Sequence, residues 1–368
     1  MTETKLGKDA ITLPVGTTAQ RPANPEAGMM RFNTDEGYVE WYDGVGNRWI
    51  ATSSFPGVVA TGGTVTDITE DGVVYRVHTF TSDGTFDVTR GGEVEYLVVA
   101  GGGSGAATPG EHKGGGGGAG GLVLVPNKTV EAKNYVVTVG SGGASVGQTS
   151  EFSPIQGNPG QNTTFDNLVA LGGGRGGQRD SSEGSNDGGS GGGGHYELSG
   201  GAATQPASPA GGFGNDGGSG GESRGNGGGG AGTAGRNSDQ GTQDGRLQNG
   251  AWSGGQGLFE VTLGGVTYNF KNMFGTSVGH NVENEIWFAG GGGGGENNEG
   301  HDTYGAGGHG GGGRGAFSPD GYVGTSWGTN TSAGESALPN TGGGGGGARQ
   351  GVSGAGGSGI VIVRYRIG

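Results

Sequence analysis

The feature that most constrains this chain is a set of glycine tracts joined directly to short apolar strands. The clearest case is GEVEYLVVAGGGSGAATPGEHKGGGGGAGGLVLV, from Gly92 to Val125, in which one apolar run leads into the tract and a second leaves it. The same junction recurs at 168–174, 254–263, 286–295 and 356–363. Glycine is therefore inserted into a β framework and is not a tail attached to one.

Glycine and proline contents of 100 and 12 in 368 residues, without a strict G-X-Y repeat, are typical of low-complexity, disordered chains. The apolar strands between the tracts favour an ordered fold instead. No cysteine is present, which excludes disulfides and thiolate zinc sites. The formal charge of -14 argues against nucleic acid or an anionic membrane as a partner.

The N-terminal sequence MTETKLGKDAITLP lacks the apolar region of a signal peptide, and no stretch approaches the ~18 apolar residues of a membrane span. These features predict a soluble protein made in the cytoplasm, with no membrane insertion. No window of about a dozen residues carries helical 3-4 spacing free of glycine. Almost no α-helix is therefore expected.

Residues 1–25 are expected to form an extended arm, because its prolines restrict their own backbone and that of the residue before each. The next segment alternates apolar and polar residues between Asp-Gly and Gly-Asn turn signals, which predicts a three-stranded meander over 30–33, 38–42 and 48–51. Arm and meander together form an N-terminal module, residues 1–52, for attachment and oligomerisation. A meander of this size buries little alone, so partner copies or a docking surface are expected to stabilise it. The predicted core residues of the module are Phe32, Trp41, Tyr42 and Trp49.

The remainder divides into the start of a β scaffold, residues 53–100, and a glycine-rich domain, residues 101–368. In EYLVVA the alternation of apolar and polar residues fails, which predicts a strand buried on both faces. That strand and the C-terminal strand 359–367 are expected to lie in one sheet and to close the domain. Further strands are predicted at 72–80, 84–88, 122–125, 135–139, 163–171, 258–263, 266–270 and 285–289.

Two regions resemble proteins of bacteriophage virions. Residues 13–50, LPVGTTAQRPANPEAGMMRFNTDEGYVEWYDGVGNRWI, are similar to a segment common at the front of phage fibre and other virion proteins. Residues 58–368 resemble the glycine-rich domain of phage tail-fibre adhesins, with EYLVVAGGG, GGGGGAGGL, YVVTVGSGG and GGSGIVIVRYRI as the matching pieces. The resemblance implies that the tracts form left-handed polyglycine-II helices packed side by side, and it implies a homotrimer.

A polyglycine-II helix has the geometry of polyproline II, with three residues per turn and every N–H and C=O pointing outward. In a packed lattice each backbone group can bond a neighbouring helix, and the close approach tolerates no Cβ at the contacts. A net hydrogen bond supplies ~0.5–1.5 kcal/mol against the ~1–2 kcal/mol cost of ordering a residue, so only a bundle anchored by strands is expected to order. Charged interruptions such as Lys113, Arg175, Arg314 and Arg349 are expected on the outside of the bundle or at its turns. The predicted fold is thus all-β with polyglycine-II helices.

No motif predicts catalysis or a bound cofactor. The nucleophile pattern G-x-S-x-G occurs at 188–192 and 217–221, but such matches are expected by chance in this composition and neither follows a predicted strand. His301, Asp302 and His309 are metal-ligand types, yet the glycine between them fixes no geometry. The chain is therefore predicted not to be an enzyme, and no residues are assigned to a metal site.

Aromatic residues in the interruptions of the tracts are the candidate recognition residues. They either cap the tract ends and cover the sheet, or they form a contact patch for a host glycan or an outer-membrane protein. The first role is the more usual one for such residues. The second role rests on two general observations: recognition residues often stand on loops held by a stiff scaffold, and aromatic anchors carry much of the binding energy at interfaces. The candidates are Tyr196, Phe213, Trp252, Tyr304, Phe317, Tyr322 and Trp327.

These observations predict a non-catalytic virion fibre or adhesin whose N-terminal module attaches to other virion proteins and whose loops meet the host surface. A purely structural virion part, such as a head fibre or a decoration protein, is the alternative. An ice-binding protein is disfavoured by the charged, irregular interruptions, and a polysaccharide depolymerase by the lack of paired carboxylates at informative spacing.

Overall fold

The chain divides into two compact units, Met1–Gly57 with Gly368, and Val58–Ile367. The computed structural model describes residues 12–51, 57–108, 113–147, 155–178, 186–195, 198–220, 225–237, 252–295, 305–316, 333–349 and 351–367. Among these residues no helix has the length and apolar character needed to cross a membrane.

The N-terminal unit contains one four-stranded sheet. Its strands are β1 (Val15–Gly16), β2 (Met30–Asn33), β3 (Tyr38–Asp43) and β4 (Arg48–Ala51). The order in the sheet is β1-β2-β3-β4, and β2, β3 and β4 pair antiparallel, which confirms the predicted meander. The arm contributes β1, which pairs parallel with β2, and a 3-10 helix at Thr18–Gln20.

The second unit is built almost entirely from short strands joined by glycine-rich segments. This confirms a nearly all-β fold, and the described part of the unit has one α-helix of five residues. The elements are β5 (Val59–Thr61), β6 (Thr64–Glu70), β7 (Val73–Phe80), β8 (Gly84–Arg90), β9 (Gly92–Val99), β10 (Ala107–Thr108), β11 (Leu122–Val130), β12 (Asn134–Thr138), β13 (Thr163–Phe165), β14 (Leu168–Ala170), β15 (Glu260–Leu263), β16 (Val266–Asn269), α1 (Phe270–Phe274), β17 (His280–Val282), β18 (Glu285–Trp287), β19 (Ala348–Arg349) and β20 (Ile360–Arg366).

Two five-stranded sheets form the scaffold of this unit. The central sheet has the order β11-β9-β20-β7-β6, and the outer sheet has the order β14-β13-β12-β8-β5. Side chains of both sheets share one core, in which the rings of Phe86, Tyr96 and Phe165 are buried. Ring centroids of Tyr96 and Phe165 lie 5.0 Å apart in an edge-to-face arrangement, a favourable aromatic geometry.

The central sheet is buried on both of its faces, as the continuous apolar run in EYLVVA predicted. Tyr96 and Val98 of β9 belong to the core shared with the outer sheet. Leu97 and Val99 belong to a second core on the opposite face, which also contains side chains of α1, of β18 and of the two residues after β18. The C-terminal strand β20 lies between β9 and β7 and pairs antiparallel with both, which confirms that it lies in one sheet with β9.

Three local features differ from the sequence prediction. The single strand expected over 163–171 is a hairpin, because Asp166 takes a left-handed φ of 54° and turns the chain between β13 and β14. Strands β1, β5, β6, β10, β17 and β19 were not predicted. The strand expected over 266–270 ends at Asn269, whose side chain accepts a hydrogen bond from the Asn272 N–H (3.1 Å) and so caps α1.

Candidate functional site

The tract 113–121 lies at the centre of the glycine bundle, and its N–H groups follow a three-residue repeat. One row of donors bonds carbonyl groups in residues 342–348, the next row bonds residues 171–177, and the third bonds residues 226–229. Every third N–H therefore meets the same neighbouring segment. The bonds of the first row are Gly114 N to Ala348 O (3.0 Å), Gly117 N to Gly345 O (2.8 Å) and Gly120 N to Gly342 O (2.8 Å).

Carbonyl groups of the same tract accept hydrogen bonds from three further segments. Donors in residues 100–106 bond one row of carbonyls, donors in 190–193 bond a second, and donors in 292–295 bond the third. The tract is thus hydrogen-bonded to six neighbours, three through its donors and three through its acceptors. From Gly114 to Gly121 every N–H donates to a backbone carbonyl, which meets the requirement of buried amides for a partner.

Two adjacent tracts share this environment. In residues 290–295 the donors alternate among residues 310–313, 252–255 and 114–117, again with a repeat of three. Gly344 and Gly347 donate to Gly290 and Gly293 (both 2.9 Å), so residues 342–348 bond both of the other tracts. The three tracts 113–121, 290–295 and 342–348, which we term the bundle centre, are therefore bonded to one another.

Close approach of backbones explains why glycine occupies the bundle centre. A Cβ at Gly117 would lie 2.1 Å from the carbonyl oxygen of Gly103, and one at Gly116 would lie 2.1 Å from that of Gly292. Real Cβ atoms essentially never approach another atom within 3.0 Å, so no side chain fits at these positions. The three-residue repeat is the one expected of a polyproline-II-type helix, and the left-handed polyglycine-II assignment stays a prediction.

The charged interruptions do not all lie on the outside of the bundle. Arg314 is exposed and pairs with Glu335 (2.7 Å), in line with the prediction. Lys113 and Arg349 are only 3% and 4% exposed, so these two side chains do not lie on the outside of the bundle. Arg349 belongs to β19 and pairs with Thr108 of β10 in a two-stranded parallel sheet.

Two of the predicted recognition residues lie among the described residues, and both contact the body of the fold. Phe213 is half-buried against the second core and exchanges backbone hydrogen bonds with Leu122 (2.8 and 3.1 Å). Trp252 is 6% exposed, and its carbonyl oxygen accepts a bond from Gly294 of the bundle centre (2.8 Å). The predicted residues Tyr196, Tyr304, Phe317, Tyr322 and Trp327 lie outside the described residues.

The four aromatic residues predicted as the core of the N-terminal module lie on both faces of its sheet. Phe32 and Trp41 lie on one face, and Tyr42 and Trp49 lie on the other, with the last two ring centroids 5.5 Å apart. All four are half-buried or exposed. The buried side chains of the described part of this unit are polar, namely Arg31, Asn33 and Glu40.

Glu40 is the centre of a buried ionic cluster in the N-terminal unit. Its carboxylate accepts hydrogen bonds from Arg21 (2.6 Å) and Asn33 (3.2 Å) and lies 3.4 Å from the Arg31 guanidinium. The hydrogen bond from Arg21 lowers the pKa of Glu40, and the Asn33 bond acts in the same direction. These polar residues of the 13–50 segment therefore fix the sheet and its arm, which is a structural role.

A second cluster of rings lies beside the bundle and was missed in the sequence. The centroids of Phe259 and Trp287 are 4.6 Å apart, those of Trp287 and His309 are 5.1 Å apart, and those of His309 and His280 are 6.4 Å apart. The four residues come from three distant stretches, so no local motif indicates their association. His309 was predicted only as a weak metal-ligand candidate with His301 and Asp302, which lie outside the described residues.

His280 holds a turn of the bundle in its neutral form. Its Nδ1 accepts hydrogen bonds from the backbone N–H groups of Gly310 (3.3 Å) and Gly311 (3.1 Å). Burial lowers the pKa of His280, and the positive charge of His309 adds to that effect. Within the described ranges, no three His, Asp or Glu side chains are grouped as a metal site would require.

Comparison with known proteins gives one family. A family model described as a glycine-rich domain matches residues 79–366, which is more than half of the chain. No curated protein matches the sequence.

Proposed function

The chain belongs to the glycine-rich domain family, and on that premise we propose that it is a non-catalytic fibre or adhesin protein of a bacteriophage virion that attaches the particle to the host surface. The observation that carries this proposal is the bundle centre, in which a tract is hydrogen-bonded to six neighbours. A bundle of this kind is a stiff platform, and loops on a stiff platform are suited to recognition.

The N-terminal unit supplies the link to the particle in this proposal. Its 13–50 segment is similar to segments at the front of phage fibre and virion proteins, and its arm is fixed to the sheet by the Glu40 cluster. We assign it to contacts with other virion proteins and to formation of a homotrimer. The protein would then be located in a tail or another surface appendage of the virion.

The receptor contacts are assigned to the segments that connect the tracts. In the sequence, four of the candidates fall between the bundle tract that ends at Gly295 and the one that begins at Gly342, namely Tyr304, Phe317, Tyr322 and Trp327. Tyrosine and tryptophan are the residues that most often anchor interfaces. A host glycan or an outer-membrane protein is the proposed ligand class, and no cofactor is invoked.

Binding of the purified, fluorescently labelled full chain to host cells tests the proposal. We expect saturable binding that falls at least tenfold in Tyr322→Ala/Trp327→Ala, a loss of one or two anchors worth about 1.4 kcal/mol or more. Phe213→Leu is the matched control, because Phe213 packs against the second core. The Phe213→Leu protein should bind cells as well as the wild type does. Equal binding by all three proteins would contradict the assignment of the contacts.

A purely structural virion part is the second candidate. The observation that favours it is that Phe213 and Trp252, two of the predicted recognition residues, are used by the fold. Failure of the purified chain to bind cells, together with its location on the capsid by immunogold labelling, would select this function over the adhesin.

A further inference from the structure

The sheet of the N-terminal unit presents one continuous apolar face. The register pairs Val15 with Phe32, Phe32 with Val39, Met30 with Trp41, and Trp41 with Ile50, and residues directly opposite in a sheet share a face. We term this set the apolar face. Its members are Val15, Met30, Phe32, Val39, Trp41 and Ile50.

Every side chain of the apolar face is exposed or half-buried. Val15 is 68% exposed, Met30 is 46% exposed and Trp41 is 36% exposed. Among residues 12–51 no apolar side chain is buried, while the opposite face of the sheet buries Arg31, Asn33 and Glu40. Within residues 12–51 the buried side chains are therefore polar, and the apolar side chains are exposed or half-buried.

This arrangement requires a second layer over the apolar face. A β-sheet with one apolar face is stable when that face packs on another element. Units of roughly 40 residues seldom fold without oligomerisation or another support. The chain has no cysteine to supply a disulfide instead.

The charges on the face favour a copy of the same chain as the second layer. The charged residues on this face of the strands are Asp43 of β3 and Arg48 of β4, which are direct cross-strand partners at one end of the sheet. Two identical faces can thus approach without like-charge repulsion, although the whole chain carries a formal charge of -14. A partner that is always present where the chain folds also fits an interface on which folding depends.

We propose that the apolar face is the self-association surface of the protein, covered by the same face of further copies of the chain. Trp41 is the central anchor, because it lies on β3 between Met30 of β2 and Ile50 of β4. The proposal rests on the assembly role given above to the N-terminal unit, and it assigns that role to one surface. Assembly and cell attachment then use different parts of the molecule.

Sedimentation equilibrium of the full chain tests this surface. We expect the wild type at a multiple of 36.0 kDa and Trp41→Glu at the mass of one chain. The matched control is Val45→Glu, since Val45 is 97% exposed but lies in the turn between β3 and β4 and not on the face. A wild type at the mass of one chain, or a Trp41→Glu protein at the wild-type mass, would overturn the proposal.

Cross-linking separates loss of association from loss of folding in the glutamate variant. Because the chain lacks cysteine, Met30→Cys and Val45→Cys each carry a single thiol. Under mild oxidation we expect a disulfide-linked pair of chains for Met30→Cys and at least tenfold less for Val45→Cys. Equal yields would overturn the proposal. A chain that associates through this face but does not bind cells would contradict the adhesin function and leave the surface assignment intact.

Discussion

Two regions of the second unit exclude water in different ways, since the cores on the central sheet use side chains and the bundle centre uses backbone. In the cores, apolar burial supplies roughly 25 cal/mol per Å² and each strand bonds two neighbours at most. In the bundle centre, a tract with almost no side chains bonds six neighbours. Each of those hydrogen bonds contributes a net stabilisation of only about 0.5–1.5 kcal/mol. The bundle is therefore stable only when nearly all of its backbone hydrogen bonds form together.

This difference determines what each region tolerates. A core accepts a different apolar side chain of similar volume, because the neighbours repack. The bundle centre has almost no side chains to repack, so an atom added at a glycine such as Gly117 meets backbone directly. Substitutions matched between the two regions test the comparison.

The largest effect is expected in the core from Phe86→Ala. Phe86 is fully buried and its ring contacts those of His78, Phe165 and Tyr365. Its loss should lower the free energy of unfolding by about 3–5 kcal/mol, through lost burial and the cavity left behind. Urea denaturation measures the change, and Phe86→Leu is expected to cost less than about 1.5 kcal/mol. Equal losses for the two variants would show that this core does not repack.

The bundle centre should respond to a single added methyl group. In Gly117→Ala the Cβ meets the Gly103 carbonyl oxygen at 2.1 Å, so backbone must shift and the free energy of unfolding should fall by about 3 kcal/mol. Gly295→Ala is the matched control, because its Cβ finds its nearest atom at 3.4 Å. We expect that variant within about 1 kcal/mol of the wild type by calorimetry. If the two variants unfold at the same temperature, the bundle is not packed as tightly as its hydrogen bonds indicate.

A smaller effect is expected from the ionic contacts of the central sheet. Arg364 of β20 is 4% exposed, bonds Glu70 at 2.7 Å, also bonds Glu95, and lies over the ring of Tyr75. Arg364→Met should cost about 2 kcal/mol, below the value for a fully buried pair because the carboxylates are partly exposed.

The exposed pair Arg76–Asp67 on the same sheet gives the control for Arg364. Its side chains are 40% and 42% exposed, so Arg76→Met should cost less than about 1 kcal/mol. Chemical denaturation of both variants at pH 7 measures the difference. An Arg76 variant that loses as much as the Arg364 variant would show that burial does not set the strength of these pairs.

The smallest effect is expected from pH and involves both regions. Burial lowers the pKa of His78 in the core and of His280 and His309 beside the bundle. Below pH about 6.5 the unfolded chain binds protons that the folded chain does not. The contribution of these histidines to the free energy of unfolding is therefore fully present above that pH. It is lost as the pH decreases toward the pKa values of the folded state.

Hydrogen exchange of individual amides shows how much of this pH effect arises in the bundle. A protonated His280 cannot accept the N–H groups of Gly310 and Gly311, so their protection should fall when the pH decreases through the lowered pKa of His280. Gly117, which donates to Gly345, should show no such loss after correction for the intrinsic pH dependence. A parallel trend at all three amides would place the acid sensitivity elsewhere. The other titratable groups linked to this turn are His309, whose charge acts on His280, and Glu283, whose charge acts on His309.

The positions of most strands could be predicted from the sequence, because an apolar run and its turn residues are local signals. EYLVVA and the C-terminal strand were placed correctly in one doubly buried sheet. The hairpin over 163–171 was read as one strand, since a left-handed Asp166 is not visible in an apolar pattern. Of the predicted recognition residues, Phe213 and Trp252 prove to contact the fold, because an aromatic residue in an interruption looks the same whether it covers a core or stands exposed.

The sequence by itself determined that glycine tracts join strands, and that two alternating faces exist in the N-terminal sheet. Only the tertiary structure decided which segments neighbour each other, because bonds such as Gly117 to Gly345 join residues that no local pattern relates. Only the tertiary structure showed that Glu40 faces inward, because Arg21 of the arm returns to pair with it. Alternation defines two faces of a strand, but the partners that arrive from elsewhere in the chain decide which face is buried.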